Sequence, residues 1–177
     1  MLDHLSSLDE ILNGKILLIN KPKNWTSFDI VKKIKSIIKQ KHNISKIKIG
    51  HAGTLDPLAT GLLVICTGKF TKKIAEIQEQ KKTYIGELIL GKTTPSYDLE
   101  TEFDAYFPTQ HINKEMLIAA SKSFIGKIDQ TPPMYSALKV KGERLYEKAR
   151  RGEKIKISSR KVEISSFILT DISLPKI

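Results

Sequence analysis

"GHAGTLDPLATGLLVICTG", residues 50–68, sets a turn rich in Gly, Thr and Pro directly against an apolar run. The run "GLLVICTG" (61–68) is short, apolar and bounded by glycines, which predicts a central, buried strand. The stretch before it is a turn by composition: Gly supplies unusual backbone angles, and Asp before Pro favours a bend. Whatever packs on that strand decides the fold.

Working outward, "KILLIN" (15–20) is a second short apolar run, ended by the turn "KPKNW", and predicts a strand. "TSFD" (26–29) fits a capping box, and Ile30, Val31, Ile34, Ile37 and Ile38 follow at helical spacing with Lys between them, predicting an amphipathic helix to about residue 40 with a basic outer face. "SKIKIG" (45–50) suits a short strand and "KFTKKIAEIQEQ" (69–80) a short helix. "KTYIGELILG" (82–91) alternates and predicts a strand. "INKEMLIAASKSFIG" (112–126) predicts a helix with Asn113 as N-cap and Gly126 just past its end. "TPPMYSALKVKG" (131–142) continues extended, "GERLYEKARRG" (142–152) predicts a short helix, and "RKVEISSFILTDISL" (160–174) a long strand. Strands and helices mix without regular alternation, which points to an α+β class rather than a doubly wound sheet.

The 177 residues carry 30 Lys+Arg against 19 Asp+Glu, a formal net charge of +11. So basic a chain suits a polyanionic partner, nucleic acid first; the blander reading is a Lys-rich solvated surface. The hydrophobic fraction of 40% is that of a folded domain. Cys66 is the single cysteine, which rules out an intrachain disulfide and a multi-cysteine zinc site, and the four His lack ligand spacing. The N-terminus has no signal-peptide pattern, and no apolar run reaches bilayer-spanning length. A cytoplasmic location is expected.

Asp56 is the first candidate for chemistry. On residue type alone the turn reading is the stronger one. The functional reading rests on context, because a Gly-rich loop braced by a buried strand can hold a carboxylate ready as nucleophile or base. A phosphate loop fails on spacing, since the glycines match neither G-x-x-x-x-G-K-[ST] nor G-x-G-x-x-G. Glycosidase-type chemistry would need a second carboxylate, for which Asp98 is available. No nucleophile elbow supports Ser/His/Asp catalysis. Tyr84 is either core or a flat platform for a base. Lys21, Lys23 and Trp25 sit in one turn, and "ARRGEKIKISSRK" (149–161) gathers Arg150, Arg151, Lys154, Lys156, Arg160 and Lys161, either a solvated face or a phosphate-contact patch.

Four segments, "ILLINKPKNWTSFDIV", "GHAGTLDPLATGLLVICTG", "KKTYIGELILGKTT" with "YD" after it, and "QTPPMYSALKVKGERLYEKARRG", together resemble the TruB family of tRNA pseudouridine synthases. The likeness runs in the family's order along essentially the whole chain beyond the first dozen residues. It implies the pseudouridine synthase catalytic fold, a mixed and mainly antiparallel sheet flanked by helices. It also implies a reaction: isomerisation of the T-loop uridine of tRNA, nucleotide 55, to pseudouridine, with no cofactor and no metal. Asp56 is then the catalytic aspartate, attacking C1′ or removing a ribose proton. Tyr84 would stack on the flipped base, His51 would contact RNA near the flipped region, and Lys21 would support the active-site loop. Asp98 matches an acidic residue near the target nucleotide. Lys139, Arg150, Arg151 and Arg160 are the expected RNA-backbone contacts. "LATG" and "MYSALK" resemble the bacterial stand-alone branch, so the expected partner is the tRNA T-arm, with no membrane and no obligatory protein partner, and a monomer when full length.

Against the family pattern, residues 1–13 read as an N-terminal extension and 14–177 as the N-terminal portion of the catalytic domain. The family's "GTYIR"-type strand and its PUA domain do not occur in this sequence. The fold is therefore expected to be incomplete on its C-terminal side, and this stretch by itself to show little activity. The alternative reading is a non-catalytic RNA-binding or tRNA-folding module on the same scaffold. A glycosidase-like hydrolase is a third.

Overall fold

The apolar run after the Gly-rich turn forms strand β3 (Gly61–Thr67), and it lies in the middle of an antiparallel sheet, between β1 (Ile16–Lys21) and β2 (Ile49–His51). Ile16 pairs with Cys66 and Lys21 with Gly61 along one edge of β3, and His51 pairs with Ile65 along the other. The computed structural model describes residues 7–153 and 155–177, so residues 1–6 of the expected extension and Lys154 of the basic run lie outside the described residues. The chain divides into two compact units between Thr83 and Tyr84.

In the first unit, helix α2 (Ser27–His42) supplies the other half of the core. Thr26 caps it: the Thr26 hydroxyl accepts from Asp29 N–H at 3.0 Å, and the Asp29 carboxylate accepts from Thr26 N–H at 3.1 Å. Two of the helix's orphan donor groups are thereby satisfied. Ile30, Val31, Ile34 and Ile38 then recur on one face and pack with Leu63 and Ile65 of β3. Full burial of one such side chain is worth about 1.5–3 kcal/mol. The lysines fall on the outer face, and the helix ends at Asn43 in the left-handed conformation.

The unit also holds a short N-terminal helix, α1 (Leu8–Asn13), whose Ile11 is only 1% exposed within the same core. The described part of residues 1–13 thus contributes to the core of this unit. Thr67 secures it: its buried hydroxyl donates to the Ile11 carbonyl at 2.8 Å and accepts from Lys15 N–H at 3.0 Å. A 3₁₀ turn (Gly68–Lys73) and helix α3 (Ile74–Gln78) take the place of the single helix expected over 69–80.

The second unit contains antiparallel pairs. Strand β4 (Lys92–Thr93) pairs with β5 (Ala105–Tyr106), β6 (Gly126–Gln130) with β9 (Arg160–Ile164), and β7 (Lys139–Val140) with β8 (Glu143–Arg144). Helix α4 (Lys114–Ser123) starts at the expected Asn113 cap, and α5 (Leu145–Arg150) follows β8. Two expected strands are cut short. Residues 81–88 form no strand; only Ile89 bridges, to Lys176, flanked by reciprocal Leu88–Ile177 backbone bonds of 2.8 and 3.0 Å. The strand expected over 160–174 stops at Ile164. Alternation marks a strand only where a neighbour offers its backbone groups, and most of each segment lacks one among the described residues. The architecture is α+β, and every ladder among the described residues is antiparallel.

Candidate active site

Asp56 projects from the loop that joins β2 to β3, and its side chain is exposed. The loop around it is held through its backbone. Ala52 N–H donates to the Val64 carbonyl at 2.8 Å, extending the ladder one step past His51. Gly53 follows at φ +114° with open space where a Cβ would stand, so backbone conformation rather than room is what calls for glycine there. Beyond it, Ala59 N–H donates to the Asp56 carbonyl at 3.1 Å, closing the Asp-Pro turn.

Both neighbours of Asp56 are tied to the β1–α2 connection. On one side, Leu55 N–H donates to the Ser27 hydroxyl at 2.9 Å, and that hydroxyl donates to the Leu55 carbonyl at 3.0 Å. On the other, the Pro57 carbonyl accepts from Asn24 N–H at 2.7 Å and from Lys21 Nζ at 3.4 Å. Asn24 takes φ +65° to make its bond, a conformation Asn tolerates better than most residues. A capped helix start and a strand end thus grip the carboxylate's loop.

Lys21 is fully buried. Its ammonium donates to the Pro22 carbonyl at 3.0 Å and the Trp25 carbonyl at 2.7 Å as well as to Pro57, which satisfies its three donors. Burial pulls the Lys21 ammonium below its ordinary value, and the Asp56 carboxylate opposes that fall. The side chain is therefore a bolt between two turns, with its charge near enough for the Asp56 carboxylate to act on it. His51 stands at the end of β2, and its Nδ1 lies 2.6 Å from the Gly53 carbonyl. A carbonyl only accepts, so Nδ1 carries the hydrogen and Nε2 is the nitrogen left to accept.

Lys21, His51 and Asp56 come together in the first unit. Tyr84 and Asp98 belong to the second. Tyr84 is 75% exposed, which removes the core reading of its aromatic ring. Asp98 is occupied in its own turn, accepting from Ser96 Oγ at 2.6 Å and from Glu100 N–H at 2.9 Å. Among the basic candidates, Lys139 is exposed on β7 and Arg150 is exposed at the end of α5, its guanidinium 5.4 Å from the centre of the Tyr146 ring. Arg151 is paired with Glu143 and Glu153, and the Arg160 guanidinium is bonded twice to Gln130 Oε1, at 2.9 and 2.8 Å. In the sequence Ser27 and Asn24 belong only to a capping box and a turn; nothing in a single sequence links residue 27 to residue 55. Among the described residues no group of three His, Cys, Asp or Glu is placed to hold a metal ion, and no helix is long and apolar enough to cross a membrane.

Residues 35–177 match the model of the TruB family pseudouridylate synthase, N-terminal domain. The tRNA pseudouridine synthase B of Flavobacterium johnsoniae is 58% identical over 170 residues, which cover 96% of this chain and 74% of that protein. That of Parabacteroides distasonis is 50% identical over 168 residues, 95% of this chain and 72% of the relative. A crystal structure of a Cbf5-Nop10-Gar1 complex aligns over 73% of this chain and 32% of its own, with TM-score 0.44 and 27% identity, an overlap too loose to bear on the fold.

Proposed function

The chain belongs to the TruB family of pseudouridylate synthases, and from that premise we propose that Asp56 is the catalytic aspartate of a tRNA pseudouridine(55) synthase. The observation that carries the proposal is the loop's construction: the peptides on both sides of Asp56 are pinned to buried groups while the residue itself is exposed.

The substrate is the T-arm of tRNA. The target uridine has to leave its stack before C1′ can be reached. The Asp56 carboxylate then attacks C1′, or takes a proton from the ribose, as the N1–C1′ bond breaks with its electron pair leaving on uracil. The base turns, and C5 bonds to C1′ as the Asp56–C1′ ester bond breaks or, on the other route, as Asp56 returns the proton to the ribose; the C5 proton departs to solvent, and N1 gains one. Tyr84, being exposed, can stack on the flipped base. His51 reaches RNA through Nε2, and Lys21 keeps the loop in place. Lys139, Arg150 and Arg160 contact phosphates, Arg151 is a lesser member of that interface, and Asp98 lies near the target nucleotide. The protein works in the cytoplasm as a monomer, without cofactor or metal.

Tritium release from C5-labelled uridine in tRNA tests the assignment. Asp56→Asn should abolish release while tRNA binding persists. Release at the wild-type rate would remove Asp56 from the chemistry. A wild-type protein that binds tRNA and releases nothing would favour a non-catalytic RNA-binding module. Free uracil among the products would favour a hydrolase.

A further inference from the structure

Resting on the reading of Asp56 as the catalytic carboxylate, we infer that Ser27 is the positioning residue that aims it. Ser27 is the first residue of α2 and only 2% exposed. Its hydroxyl is not occupied with the helix, because Thr26 and Asp29 already form the capping box. It turns instead to a residue 28 positions away and engages both polar backbone groups of Leu55, accepting from the N–H at 2.9 Å and donating to the carbonyl at 3.0 Å.

The consequence follows from peptide geometry. The Leu55 N–H lies in the peptide plane that enters Leu55, and the Leu55 carbonyl lies in the plane that enters Asp56. The plane leaving Asp56 is held by Ala59 N–H on the Asp56 carbonyl, and the next by Asn24 N–H and Lys21 Nζ on the Pro57 carbonyl. With planes fixed on both sides of its Cα, Asp56 has a fixed backbone and its Cβ a fixed direction. The Ser27 hydroxyl is the one side chain that sets the plane entering Asp56 among the bonds described, and it does so from the rigid start of a capped helix.

Displacement of a reacting group by about 1 Å can cost a factor of roughly 100 in rate. In the full-length protein, Ser27→Ala should therefore lower kcat by about 10- to 100-fold with the KM for tRNA within about twofold of wild type. Ser27→Thr, which keeps the hydroxyl, should recover most of the rate. Both variants are compared at equal folded fraction by circular dichroism. Amide hydrogen exchange at Leu55, read by NMR, should speed up about tenfold or more in Ser27→Ala and return in Ser27→Thr, since that amide loses and regains its acceptor. A kcat within twofold of wild type in Ser27→Ala, an unchanged Leu55 exchange rate, or a Thr variant as slow as the Ala variant each overturns the inference. The exchange arm needs no turnover. A wild type that forms no pseudouridine would sink the functional reading, while unchanged exchange in an active enzyme would sink the Ser27 clamp.

Discussion

Lys21 shows how one residue can be required by the loop and by the chemistry at once. Its ammonium is fully buried and satisfied by three backbone carbonyls. Lys21→Met should destabilise the first unit by about 2 kcal/mol, because the carbonyls lose a charged donor that water cannot easily replace; urea denaturation measures it. The same residue reports on Asp56. Burial lowers the Lys21 pKa and the Asp56 carboxylate raises it, so Asp56→Asn should move the Lys21 titration further down, readable by NMR at Cε. A titration unmoved by the substitution would separate the two groups. In the sequence, Asp56 was visible as a carboxylate in an unusual loop, but its neighbours' anchors were not. Ser27, Asn24 and Lys21 lie about thirty residues upstream of it, and residue type says nothing of which hydroxyl meets which peptide.

Among the elements, those with strong local signals form as the sequence predicts. Helix α2 has a capping box, an apolar face and a left-handed exit. Thr26→Ala should cost about 1 kcal/mol in thermal or urea unfolding, the usual worth of an N-cap side chain. The junction of α1 with the end of β3 is set by space instead. Gly68 adopts φ +51°, and an added Cβ would stand 2.1 Å from the Leu12 carbonyl oxygen. Gly68→Ala should thus displace α1, expose Ile11 and speed amide exchange across α1 well beyond that in β3. Unchanged exchange there would show that the helix can shift without leaving the core. The 82–91 segment makes the opposite point. Its alternation is genuine, yet Tyr84 and Ile85 are both exposed, 75% and 96%, because a period of two cannot show whether a partner strand is present.

For the molecule as a whole, an excess of positive charge says little until its pairing is known. Lys148 and Arg151 both meet Glu143 and Glu153. Bonds from Arg151 and Lys148 hold the Glu143 carboxyl down from 4.5 to about 2. The folded chain therefore binds fewer protons than the unfolded chain as pH falls from about 4.5 toward 2. The contribution is complete above that window and is lost across it. Urea unfolding followed from pH 6 to pH 2 should show a loss of stability, whereas Glu143→Gln should be destabilised already at pH 6 and lose less on acidification; a variant that keeps the wild-type pH dependence would remove Glu143 as its source. The same pairing ranks the basic residues for RNA. Arg150→Ala should weaken tRNA binding and flatten its salt dependence, since a phosphate contact releases a counterion. Arg151→Ala should act mainly on stability. Filter binding across a salt series distinguishes them, and equal slopes for the two variants would erase the ranking.

Local pattern was enough to determine the β1–α2 unit, the central place of β3, the caps at Thr26 and Asn113, and the family motif that contains Asp56. Each depends on neighbours within about one helical turn or on a single apolar run, and such interactions are written in order along the chain. Tertiary structure alone decided that α1 joins the core, that residues 81–88 form no strand, that Arg151 is paired with Glu143 and Glu153, and that Ser27 and Lys21 grip the peptides beside Asp56. Those outcomes depend on which distant backbone groups meet once the core closes. A carbonyl or amide looks the same at every position of a sequence, and only folding gives it an address.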